Sequence, residues 1–450
     1  MNTFLFRKVT PFVTLLGLGL TACQPDLEKD FEASRGTADF TRYIAVGNSL
    51  TAGFSDNGLY LEGQQNSYPS ILANQFRTAG GGEFNQPLFT EAQSNGSGYL
   101  RLTGFSATGS PITANVAGNA GRIAGAPGSA PYTKYDGRVD NLGVPGIRLA
   151  DIHTANFGNL AGQTGAPTAA TFNPFFERIT PLGNSQSYFQ RVKAEAATAT
   201  FFSNWLGNND VLGYATTGGV GGAITRTDTF TLKNNRIINA LTANGAKGIV
   251  ATIPDVTNVP FFTTVRVADI RARFKAANPA LDVYIQTTGT AGAQVVRLAT
   301  DNDLLTLPSS AVIGTTTTGN PFPVGAGLSA LQSNPVPNQF VLDATEQTSV
   351  RTATTAFNTA IVNKANEKGL AVFDANSFFS RVAASGFVTN GVNNTASFIA
   401  GNLFSLDGVH PTPRGYAVVA NEMIRAINIQ YGASIPQINP NDYRGVKFPQ

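Results

Sequence analysis

Ser49 stands in Tyr43-Ile44-Ala45-Val46-Gly47-Asn48-Ser49-Leu50-Thr51-Ala52-Gly53, where four β-prone residues run into a glycine, a polar pair and then a second glycine. This pattern predicts a buried strand that delivers a serine to a tight turn. A hydroxyl held rigidly at a strand end, facing a cleft, is placed as a nucleophile must be, although many structural turns share that placement. A serine hydroxyl is a poor nucleophile until a base takes its proton, and histidine titrates near working pH. The chain has two histidines, His153 and His410. His410 lies in Asp407-Gly408-Val409-His410-Pro411, with a carboxylate three positions before it. His153 has no acidic residue at that spacing and reads as structural. Taken alone, Asp407 and His410 read as a loop turn with a capping aspartate, and Asn209-Asp210 as an Asx turn ending a strand.

These residues need elements to bring them together. Strand 41–47 and helix 67–79 open an α/β domain. Residues 80–135 then lose all period, with Gly80-Gly81-Gly82 and Asn95-Gly96-Ser97-Gly98, and read as an insertion with short hairpins lying over the domain. A strand over 138–146 ends in Pro145-Gly146, and Ile147, Leu149 and Ile152 start a helix from it. Helix 187–197 precedes a β-rich run over 198–206 that ends at Gly207-Asn208-Asn209-Asp210. Helix 229–244 stops at Gly245, and strand 248–253 is closed by Pro254. Residues 257–340 read as a second insertion. Helix 343–368, strand 370–374 and a last helix over 413–431 follow, with a tail over 433–450 that is expected to pack loosely. Gly218-Gly219-Val220-Gly221-Gly222 lacks the Lys-Ser/Thr of a phosphate loop and reads as a flexible loop. Strands that are apolar throughout rather than alternating argue for a parallel sheet covered on both faces. In such sheets ligands bind at the carboxyl ends of the strands. Three polar groups follow strands directly: 47–50, 141–146 and 207–210. The fourth, 407–411, precedes the last helix and can reach the same edge.

Apolar residues make up 42% and charged residues 13% of the 450, with 47 glycines and 24 prolines, which suits a secreted, loop-rich protein. One cysteine excludes a disulfide framework. With only two histidines besides, a transition-metal site is not expected. Residues 1–22 carry Arg7-Lys8, an apolar stretch from Val9 to Leu20 and then Leu20-Thr21-Ala22-Cys23, in signal-peptide order and too short for a membrane span. The segment resembles a bacterial lipoprotein signal, which implies cleavage before Cys23 and lipidation of its thiol. Gln24, in place of the aspartate associated with inner-membrane retention, directs the expectation to the outer membrane of a Gram-negative bacterium. Residues 23–40 then read as a tether. Beyond the leader, 29 basic residues face 28 acidic ones, so nucleic-acid binding is not expected.

The four blocks, in this order over residues 41–432, resemble the SGNH/GDSL hydrolase family of serine esterases. Asp407-x-x-His410-Pro411 is the distinctive block, and Gly207-x-Asn209-Asp210 is moderately so. The resemblance implies a three-layer α/β/α sandwich with a central, mostly parallel sheet of flavodoxin-like winding. It implies Ser49 as nucleophile, His410 as base and Asp407 as the carboxylate that orients the base. The oxyanion-hole positions fall on the Ser49 N–H, the Gly146 N–H and the Asn209 side chain. Asn48 stands where the family signature usually has Asp, and lies outside these groups. An α/β-hydrolase is disfavoured, because Ser49 is not in a Gly-x-Ser-x-Gly elbow and the acid lies only three residues before the histidine. The expected protein is a monomeric serine esterase, without cofactor, acting on lipid or acyl esters or on acetylated glycans. The alternative is a lipid-anchored glycan- or lipid-binding protein on the same fold.

Overall fold

Five short strands form the central sheet: β1 (Tyr43–Gly47), β2 (Asn141–Gly143), β3 (Phe201–Trp205), β4 (Lys247–Ala251) and β5 (Ala371–Phe373). The computed structural model describes residues 32–106, 109–120, 132–289 and 292–449. All neighbouring strands of the sheet are parallel, in the order β2-β1-β3-β4-β5. Every residue of β1 and β3 is buried, as a parallel sheet covered on both faces requires. The order reverses between β1 and β3, and that switch point is where doubly wound sheets open a crevice for ligands.

Helices cover the two faces. On one side α2 (Tyr68–Arg77) packs against α7 (Pro413–Tyr431), and on the other α3 (Tyr188–Ala196), α5 (Thr227–Leu241) and α6 (Ala344–Glu367) pack together. Their ends follow local rules. Ser67 caps α2, Asp343 and Glu346 form a capping box on α6, and Thr412 with Pro413 starts α7, which stops at Gly432 with φ 61°. Phe230 of α5 stacks on Phe357 of α6 at 3.8 Å.

Several expectations are corrected. Residues of the expected 23–40 tether belong to the core: Phe40 is 1% exposed and stacks on Phe76 of α2 at 4.1 Å. The tail does not pack loosely. Asn428 of α7 accepts from Ile435 N and donates to Ile435 O, and Asn421 does the same for Ile438, so two side chains take up the polar groups of an extended segment. The strand expected over 138–146 pairs only at Asn141–Gly143, and the helix expected after Gly146 is a single 3-10 turn, Leu149–Asp151. Residues 80–135, by contrast, contain an antiparallel hairpin of the kind expected there, Gly98–Phe105 with Pro111–Ala117. Residues 257–340 hold a helix, Val267–Ala277, and an antiparallel sheet built on Asp282–Thr288, with a small core around Val267, Ile270, Val283 and Ile285. A further helix, Ala375–Ser385, was not expected. In the 218–222 loop only the start is packed, since a Cβ on Gly218 would overlap the carbonyls of Asn338 and Val341, while Val220, Gly221 and Gly222 are exposed. Residues 1–22 and Cys23 lie outside the described residues. Among the described residues no helix is long and apolar enough to cross a membrane.

Candidate active site

Ser49 is the first residue of a one-turn helix, α1 (Ser49–Ala52), directly beyond β1. The turn is tight for sequence reasons. Asn48 caps it, its Oδ1 accepting from Leu50 N at 3.1 Å. A Cβ at Gly47 would overlap the Thr51 hydroxyl, and Gly53 closes the turn with φ 85°. Asn48 is fully buried and its Nδ2 has no partner among the described residues.

His410 arrives from the far end of the chain. The Nε2 of His410 lies 2.8 Å from the Ser49 Oγ, and its Nδ1 lies 2.9 Å from Asp407 Oδ2. Since a carboxylate only accepts, this network makes Nδ1 the protonated nitrogen and leaves Nε2 to accept from the serine hydroxyl. Asp407 is saturated: Oδ1 accepts from Val409 N and His410 N, both at 2.8 Å, and Oδ2 also accepts from Asn57 N at 2.9 Å. Burial alone would raise this carboxyl, but the His410 charge, its hydrogen bond and the backbone N–H groups outweigh it and hold it down at about 2. Asp407 is therefore ionised throughout the neutral range. The ring of Phe54 lies against His410, with centroids 4.7 Å apart. Gly408 takes φ 72° where Phe261, from residues 257–340, donates its N–H to Gly408 O at 2.9 Å. The second insertion thus braces the loop that bears Asp407 and His410.

Gly146 and Asn209 come to the same sheet edge. Gly47 is in register with Gly143 on one side and Trp205 on the other. Val144 N donates to Gly47 O at 3.0 Å, so Gly146 follows two residues beyond a backbone bond to the strand that bears Ser49. Gly146 has φ 82°, and neither its N–H nor that of Ser49 has an acceptor among the described residues. Asn209 begins α4 (Asn209–Ala215), and its Nδ2 donates to Ile147 O at 2.9 Å, with one N–H left over. Three donors without a full complement of acceptors thus follow the carboxyl ends of the adjacent strands β1, β2 and β3.

His153 is elsewhere, its Nε2 3.3 Å from Arg236 and its ring edge-on to Phe189. Burial and the cations of Lys233 and Arg236 push its pKa down. Two groups escaped the sequence reading. Asp210, read as part of an Asx turn, accepts from Leu149 N at 2.6 Å and Ala150 N at 3.0 Å, tying the Gly146 loop to α4. Burial raises it to about 6 against these bonds. Ser55-Asp56-Asn57 grips the 405–411 loop, and Asn57-Gly58 is a hairpin signal that could have marked the turn. No group of three or more His, Cys, Asp or Glu among the described residues is placed to hold a metal.

A comparison of sequences brings the profile of the GDSL-like Lipase/Acylhydrolase family to residues 43–423. No curated protein matches the chain. Similar solved structures include LAE5, an alpha/beta hydrolase enzyme from the metagenome of Lake Arreo, Spain, with 10% identity and a TM-score of 0.36 over 87% of this chain and 97% of that one. An extracellular lipase from Streptomyces rimosus shows 12% identity and a TM-score of 0.33 over 87% of this chain and 99% of that one. At such identities and TM-scores, the family profile is the informative match.

Proposed function

The chain belongs to the GDSL-like lipase/acylhydrolase family and is a hydrolase of ester bonds, and we propose that it works through a Ser49–His410–Asp407 triad and an acyl-enzyme. The observation that carries this reading is the 2.8 Å contact between His410 Nε2 and Ser49 Oγ. Ser49 Oγ attacks the ester carbonyl carbon while its proton passes to His410 Nε2, and Asp407 stabilises the imidazolium. The oxyanion is held by the N–H groups of Ser49 and Gly146 and by Asn209 Nδ2. The intermediate collapses, the C–O bond breaks, and His410 returns its proton to the leaving alcohol. Water then attacks the acyl-enzyme, giving its proton to His410, and the carboxylic acid leaves as Ser49 regains its hydrogen.

The substrate is a lipid or acyl ester or an acetylated glycan, met at the cell envelope by a monomer. Removal of residues 1–22 and lipidation of Cys23 anchor the domain to the outer membrane; the order of charged, apolar and small residues before Cys23 supports this. Ester hydrolysis being the family's activity, the purely binding alternative is set aside.

The test is hydrolysis of p-nitrophenyl esters from acetyl to palmitoyl by the parent protein, Ser49→Ala and His410→Ala. The reading expects activity in the parent alone, and activity unchanged in both variants would refute it. The chain-length profile separates an acetylesterase from a lipase. For the anchor, Cys23→Ala should move the protein from the membrane to the soluble fraction, and an unchanged distribution would exclude it.

A further inference from the structure

The loop that carries Asp407 and His410 is held by a four-residue turn that follows α1. Ser55 and Gly58 exchange both backbone hydrogen bonds at 2.9 Å, and Asp56 and Asn57 between them take φ 51° and 61°. Two consecutive non-glycine residues in the left-handed region make a type I′ turn, a conformation that side chains resist. Its contacts with the loop are what this backbone delivers. Ser55 Oγ donates to Pro411 O at 3.0 Å, and Asp56 N donates to Ser405 Oγ at 2.9 Å. Asp56 Oδ1 accepts from Leu406 N at 3.0 Å, and Asn57 N reaches Asp407 Oδ2. The turn thus meets four residues of the loop, on both sides of the catalytic pair.

Asp56 is the costly member of this set. It is a buried carboxylate beside a second one, Asp407, and burial pushes its pKa up. An apolar side chain would fill the space with less penalty. What the carboxyl supplies is a pair of acceptors: Oδ1 for Leu406 N, the residue before Asp407, and Oδ2 for the Tyr60 hydroxyl at 2.7 Å. Tyr60 is itself fixed, stacked on Tyr99 at 4.4 Å and receiving Arg444 Nη2 at 3.1 Å. Arg444 forks onto Glu62 at 2.6 and 2.8 Å. A rigid chain therefore runs from the tail, through Arg444, Tyr60 and Asp56, to the backbone that aims Asp407.

We propose that Asp56 is a positioning residue for ester hydrolysis, fixing the Leu406–Asp407 backbone so that the Asp407 carboxylate meets His410 Nδ1. It touches neither substrate nor the reacting atoms. The assignment rests on the Ser49–His410–Asp407 reading.

The test uses the full chain on p-nitrophenyl acetate with Asp56→Ala, Asp56→Asn, Tyr60→Phe and, as control, Ser49→Ala. Asp56→Ala is expected to lower kcat by roughly 10- to 100-fold, as a displacement of about 1 Å does, with KM within about 2-fold. Asp56→Asn keeps an acceptor for Leu406 N and is expected to recover most of that kcat. Should Asp56→Ala fail to fold, Tyr60→Phe frees one carboxyl oxygen and is expected to lower kcat by about 3-fold or more at unchanged KM. A folded Asp56→Ala with kcat within about 2-fold of the parent overturns the proposal, as does an Asn variant as impaired as the Ala. If Asp56→Ala does not fold, a parent-like kcat in Tyr60→Phe also overturns it. Persistent activity in Ser49→Ala would instead overturn the triad reading itself, so the two failures are distinguishable.

Discussion

His410 Nε2 and Ser49 Oγ are 361 residues apart in sequence and 2.8 Å apart in the fold. The contact needs the first strand of the sheet and the loop before its last helix to be fixed against each other, and the Ser55–Gly58 turn does this. Asp407→Asn should disturb the tautomer of His410 without moving the backbone. An amide in place of the carboxylate can present its N–H to Nδ1, so Nε2 would carry the proton and could not accept from Ser49. We expect kcat to fall by about 10³- to 10⁴-fold with KM little changed, measured by steady-state kinetics on a soluble ester.

The same carboxylate should register in acid stability. Its folded pKa of about 2 lies below the ordinary value of 3.8, so it stabilises the fold above pH about 4 and loses that contribution as pH falls through about 2, worth ~2 kcal/mol. Denaturant midpoints measured from pH 6 to pH 2 should fall less steeply in Asp407→Asn than in the parent.

Asn209→Ala removes one of the donors proposed to hold the oxyanion and also a bond to Ile147 O. The expected loss is about 10²- to 10³-fold in kcat. KM should change little, since the donor acts on charge that develops only in the transition state. A rise in KM at constant kcat would instead mean that Asn209 binds substrate.

Glu346 of α6 has the opposite sign. Burial above all, with Asp343 and Asp303 nearby, raises it to about 7. A carboxyl raised in the folded state contributes its stability below the unfolded value near 4.5 and loses it as pH rises through 7. Glu346→Gln keeps an acceptor for Asp343 N, so at pH 8 it should stabilise the protein by up to ~3 kcal/mol and at pH 4 leave it unchanged, read from denaturant midpoints.

How far the sequence foretold this arrangement depended on whether the signal was local. Strand β1, the helix read over 67–79 and the last helix from Pro413 to Tyr431 each carry their own pattern, and each formed close to where it was read. The edge strand over 138–146 shrank to three residues, with Asp140 outside it committed to Asn85 N and to Arg138. The sheet within 257–340 was illegible because its strands leave Val295 and Leu298 exposed and break their alternation. Ser49, Asp407 and His410 stood out as block members. Asp56 did not, since its meaning lies in a hydrogen bond to Leu406, 350 positions on.

The central claim is that Ser49 forms a covalent bond to the acyl group, and a p-nitrophenyl alkylphosphonate tests it most directly. Attack by Ser49 Oγ on phosphorus expels p-nitrophenolate and leaves a stable phosphonyl-serine. The account predicts a single equivalent of p-nitrophenolate released, loss of esterase activity in step with it, and the added mass on the peptide that contains Ser49, with no labelling of Ser49→Ala. Label on a different residue, or full activity retained after Ser49 is modified, would contradict it.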